Sequence, residues 1–203
     1  ARVLDGLYLR QVWAGNGALL LELLADRSSL GQARLHAFLV NKGPWSQLDH
    51  QAPFLPGVPA KPEEANFYPA GATKAEVEAW MKDLSAAERT AATGFFTTIR
   101  RMPKGTLVAV PYSVEHQGEL ARAGELLREA AATTTQPTLR AFLEKRAAAF
   151  LTNDYYASDV AWMELDASLE PTIGPYETYD DGWFGYKSAV EAFITLRDER
   201  ESA

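Results

Sequence analysis

Six of the eleven prolines lie between Asn41 and Gly71, at Pro44, Pro53, Pro56, Pro59, Pro62 and Pro69. No other feature constrains the fold as strongly. Each proline removes a backbone donor and fixes φ, so neither a helix nor an interior strand runs through the stretch. Loops longer than ~12–15 residues are uncommon in compact domains. This one also carries Trp45, Phe54, Phe67 and Tyr68, which predicts that packing orders it. Trp45, Phe54 and Phe67 are hydrophobic enough to predict either an exposed apolar surface or a partner outside this chain.

Regular elements are expected on both sides of the loop. Val12, Trp13, Leu19, Leu20 and Leu23 share a helical stripe over Leu7 to Leu24, weakened at Gly15-Asn16-Gly17. Leu30 to Val40 fits helix or strand. Beyond the loop, Thr73-Lys74-Ala75-Glu76 and Ser85-Ala86-Ala87-Glu88 both fit the capping box. Val77, Trp80, Met81 and Leu84 give the first helix an apolar face; Ala92, Phe95, Phe96 and Ile99 give the second one. Pro103-Lys104-Gly105 marks a stop, and Leu107 to Val110 suits a short buried strand. A helix follows from Ser113 to about Ala132, and Pro137 opens another, lined by Leu139, Phe142, Leu143, Ala147, Phe150 and Leu151.

The texture changes at Asn153. Between Asp154 and Tyr186 stand eight carboxylates and eight aromatics, with no Lys or Arg. Most of these aromatics suit a core and most of the acids a solvated rim. Such an unbalanced window also suits a cationic ligand such as a peptide amine, a sugar or a metal ion. Leu169 to Tyr179 reads as extended. Val190, Ala192, Ile194 and Leu196 alternate as on a strand, with a helix over Lys187 to Glu199 as competitor. The expectation is an α+β fold. Residues 1–152 form a mainly helical region containing the proline-rich loop 41–71, and residues 153–203 form a β-rich region with the acidic segment.

The 203 residues carry a net charge of −7 and no cysteine. The charge argues against nucleic acid, whose binding needs clustered Lys and Arg. Lack of cysteine excludes disulfides, thiolate metal sites and a cysteine nucleophile. His36, His50 and His116 are widely separated, so no metal-ligating motif forms. No apolar run reaches the ~18 residues of a membrane span, and no signal peptide is visible. The expected setting is soluble, cytoplasmic or periplasmic. Ala1 in place of Met suggests a chain that is processed or cut from a longer one.

Several segments resemble the bacterial branch of the dipeptidyl peptidase III family of zinc peptidases. They are residues 10–16 (Arg-Gln-Val-Trp-Ala-Gly-Asn), 41–45 (Asn-Lys-Gly-Pro-Trp), 65–70 (Ala-Asn-Phe-Tyr-Pro-Ala), 153–159 (Asn-Asp-Tyr-Tyr-Ala-Ser-Asp) and 173–179 (Ile-Gly-Pro-Tyr-Glu-Thr-Tyr). The last is the most specific, because it resembles the family's Glu-x-Tyr substrate-binding segment. The resemblance implies that Glu177 holds the substrate's free α-amine and that Tyr179 acts catalytically near the scissile carbonyl. Tyr176 joins them as a substrate-binding residue. It also implies two lobes around a cleft, one bearing a β-barrel to which the β-rich region contributes, and the other bearing the zinc. The family's His-Glu-x-x-Gly-His motif has no match here. The chain is then expected to be an amino-terminal portion, inactive alone, with zinc and the remaining catalytic portion supplied by the complete enzyme. The alternatives are a non-catalytic peptide-binding module, or a carbohydrate-binding module that stacks sugars on Trp162, Tyr176 and Trp183.

Overall fold

The computed structural model describes residues 1–198, 200 and 201. Helices α1 (Arg2–Val12), α2 (Asn16–Ala25) and α3 (Ser29–Asn41) lead into the proline-rich loop, which holds only the two-residue strands β1 (Trp45–Ser46) and β2 (Ala52–Pro53). Helices α4 (Lys74–Lys82) and α5 (Ala86–Thr93) follow, then a hairpin of β3 (Thr97–Arg101) and β4 (Leu107–Pro111). Next come the short α6 (Tyr112–Glu115), α7 (Gln117–Thr133), α8 (Pro137–Thr152) and α9 (Tyr156–Met163). Strands β5 (Leu169–Glu177) and β6 (Ala189–Leu196) complete the α+β fold. Its sheets are three separate antiparallel pairs, β1–β2, β3–β4 and β5–β6, and none closes into a barrel among the described residues.

Beside a small cluster of Leu9, Leu23, Phe38 and Leu55, one main core joins distant parts of the chain. It joins Leu4, Leu7 and Val12 of α1 to Phe142, Ala147 and Phe150 of α8 and to Ile173, Val190 and Ala192 of the last strand pair. Gln11 is the polar hub of this packing. Its side-chain oxygen accepts from the Val190 backbone at 2.8 Å, and its carbonyl accepts from the Asn66 backbone at 2.7 Å. One buried residue thus ties α1 to both β6 and the proline-rich loop.

Several expectations need correction. The stripe over Leu7 to Leu24 is two helices, broken around Gly15, where a Cβ would collide with the Trp13 ring. The helix opened by Ser85 stops at Thr93, so Phe95, Phe96 and Ile99 are not on its face. Its last carbonyls are taken by groups from elsewhere. Thr97 Oγ1 donates to Ala91 O at 2.8 Å, and Lys187 Nζ donates to Ala92 O and Gly94 O at 2.6 and 2.9 Å. The chain then enters β3. The Thr73 box forms only by half: Thr73 accepts from Glu76 N, but the Glu76 carboxylate reaches Arg101. The Ser85 box is complete. The first region also contains the β3–β4 hairpin, and the second opens with helix α9.

The alternating residues from Val190 to Leu196 are a strand, paired in register with β5. The competing helix would have ended at Glu199, which lies outside the described residues. In the proline-rich loop, Trp45 and Phe67 are buried within this chain and Phe54 is half-buried. Trp45 donates its indole N–H to Pro59 O at 2.9 Å and meets Trp13 edge-on. A partner outside this chain is therefore not required to bury Trp45 and Phe67.

Candidate functional site

Residues 169–196 form a hairpin whose long connection, from Thr178 to Ser188, carries much of the acidic and aromatic cluster. Pro175 pairs with Val190 and Glu177 with Ala189, so Tyr176 is the extra residue of a β-bulge. A bulge re-aims the side chains on either side of it. Glu177, the last residue of β5, points out into solvent. Tyr179 follows beyond the strand end and is 63% exposed. Tyr176 turns inward, where its hydroxyl accepts from Arg146 Nη2 at 2.8 Å.

Two aspartates fix the turn that follows. Asp181 is buried, and it accepts from the Tyr68 hydroxyl at 2.7 Å and from the backbone N–H groups of Phe184, Tyr186 and Lys187 at 3.2, 2.9 and 3.0 Å. Gly182 donates its N–H to Glu63 O at 2.7 Å, and a Cβ there would come within 3.0 Å of the same oxygen. The side chain of Asp180 is fully buried and paired with Lys61 at 2.7 Å. The turn is thus clamped to the proline-rich loop at three points.

Tyr179 donates its hydroxyl to Glu191 Oε1 at 2.8 Å. Glu191 sits on β6, 5% exposed, and burial with the charges of Asp180 and Glu177 pushes its carboxyl above the usual range, against the pull of Tyr179 and Lys42. Burial and the neighbouring carboxylates hold the Tyr179 phenol well above its ordinary value, so it is a neutral donor at neutral pH. Tyr179 borders a pocket of about 300 Å³ with Tyr8, Asn41, Lys42, Trp45 and Lys61 among its other walls. Lys42 Nζ lies 3.8 Å over the Phe193 ring.

These positions divide by what binds them. Glu177 has no ion pair among the described residues and faces solvent. Asp180 and Asp181 are consumed by Lys61 and by the turn. The aromatic platforms are largely turned on one another: Trp183 stacks on Tyr68 at 5.1 Å and Trp162 meets Tyr176 at a 43° tilt. Sequence reasoning missed Glu191, Lys61, Lys42 and Tyr8. Lys61 and Asp180 are 119 positions apart, and nothing local signals such a pair. Among the described residues no three His, Asp or Glu side chains converge as a metal centre requires, and no helix is long and apolar enough to cross a membrane.

No family model matches the chain. A dipeptidyl-peptidase III structure from Corallococcus sp. strain EGB is 68% identical over 98% of this chain, with a TM-score of 0.90, and the chain covers 37% of it. A DPP III structure from Caldithrix abyssi is 46% identical over 100% of this chain, with a TM-score of 0.88 and 38% of its own length covered. Nudix hydrolase 3 of Arabidopsis thaliana is 36% identical over the full chain, which covers 33% of that protein. Its name describes a protein of which two-thirds lies outside the match. The chain thus spans between 33% and 38% of each relative, and over that span it is a dipeptidyl-peptidase III-like segment in both sequence and fold, as its motifs imply.

Proposed function

We propose that this chain supplies the wall of a peptidase cleft that holds the free amino terminus of a peptide substrate. The observation that carries the proposal is Glu177: an exposed carboxylate with no ion pair among the described residues, mounted at the bulged end of a strand beside a neutral tyrosine. An exposed carboxylate not yet paired is a ready partner for an ammonium, and a charge-assisted hydrogen bond between them is strong and specific to a free amine. Glu177 then works as a ruler, setting which peptide bond reaches the reactive centre.

Tyr179 is the donor to the substrate carbonyl. A hydroxyl has one proton, and in this structure the Tyr179 hydroxyl donates it in a hydrogen bond to Glu191. To serve an oxyanion the phenol turns from Glu191 to substrate, a rotation that its 63% exposure leaves room for. The zinc that the family resemblance implies has no ligand set among the described residues. Zinc and the rest of the catalytic machinery belong, in this proposal, to the remaining portion of a longer enzyme. A non-catalytic peptide-binding module would keep the same Glu177 wall. A sugar-stacking module is less well supported, since Trp183 and Trp162 already face Tyr68 and Tyr176.

The test is steady-state kinetics on the complete protein carrying this chain, with free and amino-blocked peptides. Glu177→Ala is expected to weaken binding of free-amine peptides and leave blocked ones unchanged. Tyr179→Phe is expected to lower turnover by roughly 10²–10³ with little change in affinity, as for other oxyanion donors. Equal losses on both peptide types, or near-normal turnover for Tyr179→Phe, would refute these roles. A reading frame without a zinc motif beyond Ala203, together with amine-dependent peptide binding, would favour the module.

A further inference from the structure

Arg146 lies on α8 with its side chain fully buried. Its Nη2 donates to Asp159 Oδ1 of α9 at 2.6 Å and to the Tyr176 hydroxyl of β5 at 2.8 Å. Neither Nε nor Nη1 has a hydrogen-bond partner among the described residues. The guanidinium carbon sits instead 5.4 Å from the Phe142 ring centroid, 5.3 Å from that of Tyr155 and 5.1 Å from that of Tyr176. One planar cation is thus boxed by three rings and two oxygens, a geometry suited to Arg and not to Lys.

Strand β5 is built to admit it. Gly174 has φ +143°, and a Cβ there would lie 2.6 Å from Arg146 Nη1. Only glycine meets both conditions. One residue further on, Pro175 donates no hydrogen bond, and the bulge follows at Tyr176. A strand that contains a glycine, a proline and a bulge in succession is weakly specified by its own ladder. As a stability device, a buried charge gains little over apolar groups of the same shape. What the guanidinium adds is a fixed position for the Tyr176 hydroxyl, and with it the direction in which the next residue leaves the strand.

We propose that Arg146 is a positioning residue for the substrate wall: by clamping Tyr176 from inside the molecule, with Gly174 as its access point, it sets the bulge that presents Glu177, while Tyr179, beyond the strand end, is held separately by Glu191. The proposal rests on the cleft-wall role of Glu177. Tyr176 then contributes to substrate binding from behind the wall and not by contact.

Two variants test this on the complete protein. Arg146→Met keeps the volume and removes the clamp. Tyr176→Phe removes only the hydroxyl, and it keeps the assay open should Arg146→Met fail to fold. The first measurement is amide hydrogen exchange. Exchange over residues 173–178 is expected to rise at least ~10-fold, while the β3–β4 hairpin keeps its protection. Unchanged exchange, or a rise spread evenly over the fold, would overturn the proposal. The second measurement is kinetics. KM for free-amine peptides is expected to rise roughly tenfold with kcat nearly constant, and amino-blocked peptides are expected to show no change. Local loosening without that selective loss, in a protein whose Glu177→Ala variant does discriminate the two peptide types, would also overturn it. If Glu177→Ala itself fails to discriminate them, the cleft-wall role falls. The exchange experiment alone then decides whether Arg146 holds the bulge.

Discussion

Asp181→Asn is the most informative single change, because it keeps the size of the side chain and alters only charge and one donor pattern. In the parent, Asp181 Oδ2 accepts from Tyr68 OH, Tyr186 N and Lys187 N, and Oδ1 accepts from Phe184 N. The amide oxygen of Asn can take the Oδ2 position and keep three bonds. Each then falls from the charge-assisted class to the neutral class, a loss of about 1 kcal/mol apiece. The amide NH₂ faces the Phe184 N–H, donor against donor, and that orphaned group costs about 1–3 kcal/mol more. Relief from burying a carboxylate, itself several kcal/mol, offsets about half of the total. The net destabilisation is about 2–3 kcal/mol. For a chain of this length that corresponds to a fall in Tm of about 4–12 °C. Urea unfolding of the parent and the variant measures it, with m expected to stay constant. A difference below ~0.5 kcal/mol would show that the turn is held by its backbone contacts with Glu63 and not by the Asp181 bonds.

Lys187 gives a prediction in pH. Burial pushes its ammonium down to about 7, partly opposed by Asp181. Between about pH 7 and the ordinary lysine range the unfolded chain binds more protons, so this group makes stability rise with pH in that window and adds no slope below it. Urea unfolding at pH 7, 8 and 9 is expected to show the parent gaining on Lys187→Met by at most ~1.4 kcal/mol per pH unit. A constant difference would mean that its three acceptors, Ala92 O, Gly94 O and Thr97 Oγ1, hold the ammonium throughout. His116 is pushed down to about 4 by burial. The unfolded form binds more protons from there up to the ordinary histidine value, so its contribution to stability is lost as pH falls through that range. Its ring resonances in an NMR titration are expected to stay in the neutral form down to pH 5; a midpoint near 6.5 would contradict the burial. Ser85→Ala is expected to cost about 1 kcal/mol and more than Thr73→Ala, because only the Ser85 box is reciprocal. Equal melting temperatures for the two variants would contradict that ranking.

Much of this protein is written locally. The hydroxyl-x-x-Glu signatures place the starts of α4 and α5, and Pro137 sits at the first turn of α8. The alternation from Val190 to Leu196 marks β6, because side chains one residue apart on a strand face opposite ways. Leu169 to Tyr179, read as extended, holds β5 (Leu169–Glu177). Such features are legible because their cause lies within a few residues of the effect. The remainder came from groups far apart in sequence. Two of the last carbonyls of helix α5, Ala91 O and Ala92 O, are taken by Thr97 and by Lys187, the latter ninety-five positions past Ala92. The Thr73 box stays half-formed because Arg101 competes for Glu76. Glu177 faces outward with no ion pair among the described residues, while Asp180 and Asp181, three and four residues on, are consumed by Lys61 and Tyr68. The sequence shows eight similar carboxylates and cannot rank them. Only the folded chain decided which of them meet a buried cation or donor and which stay exposed.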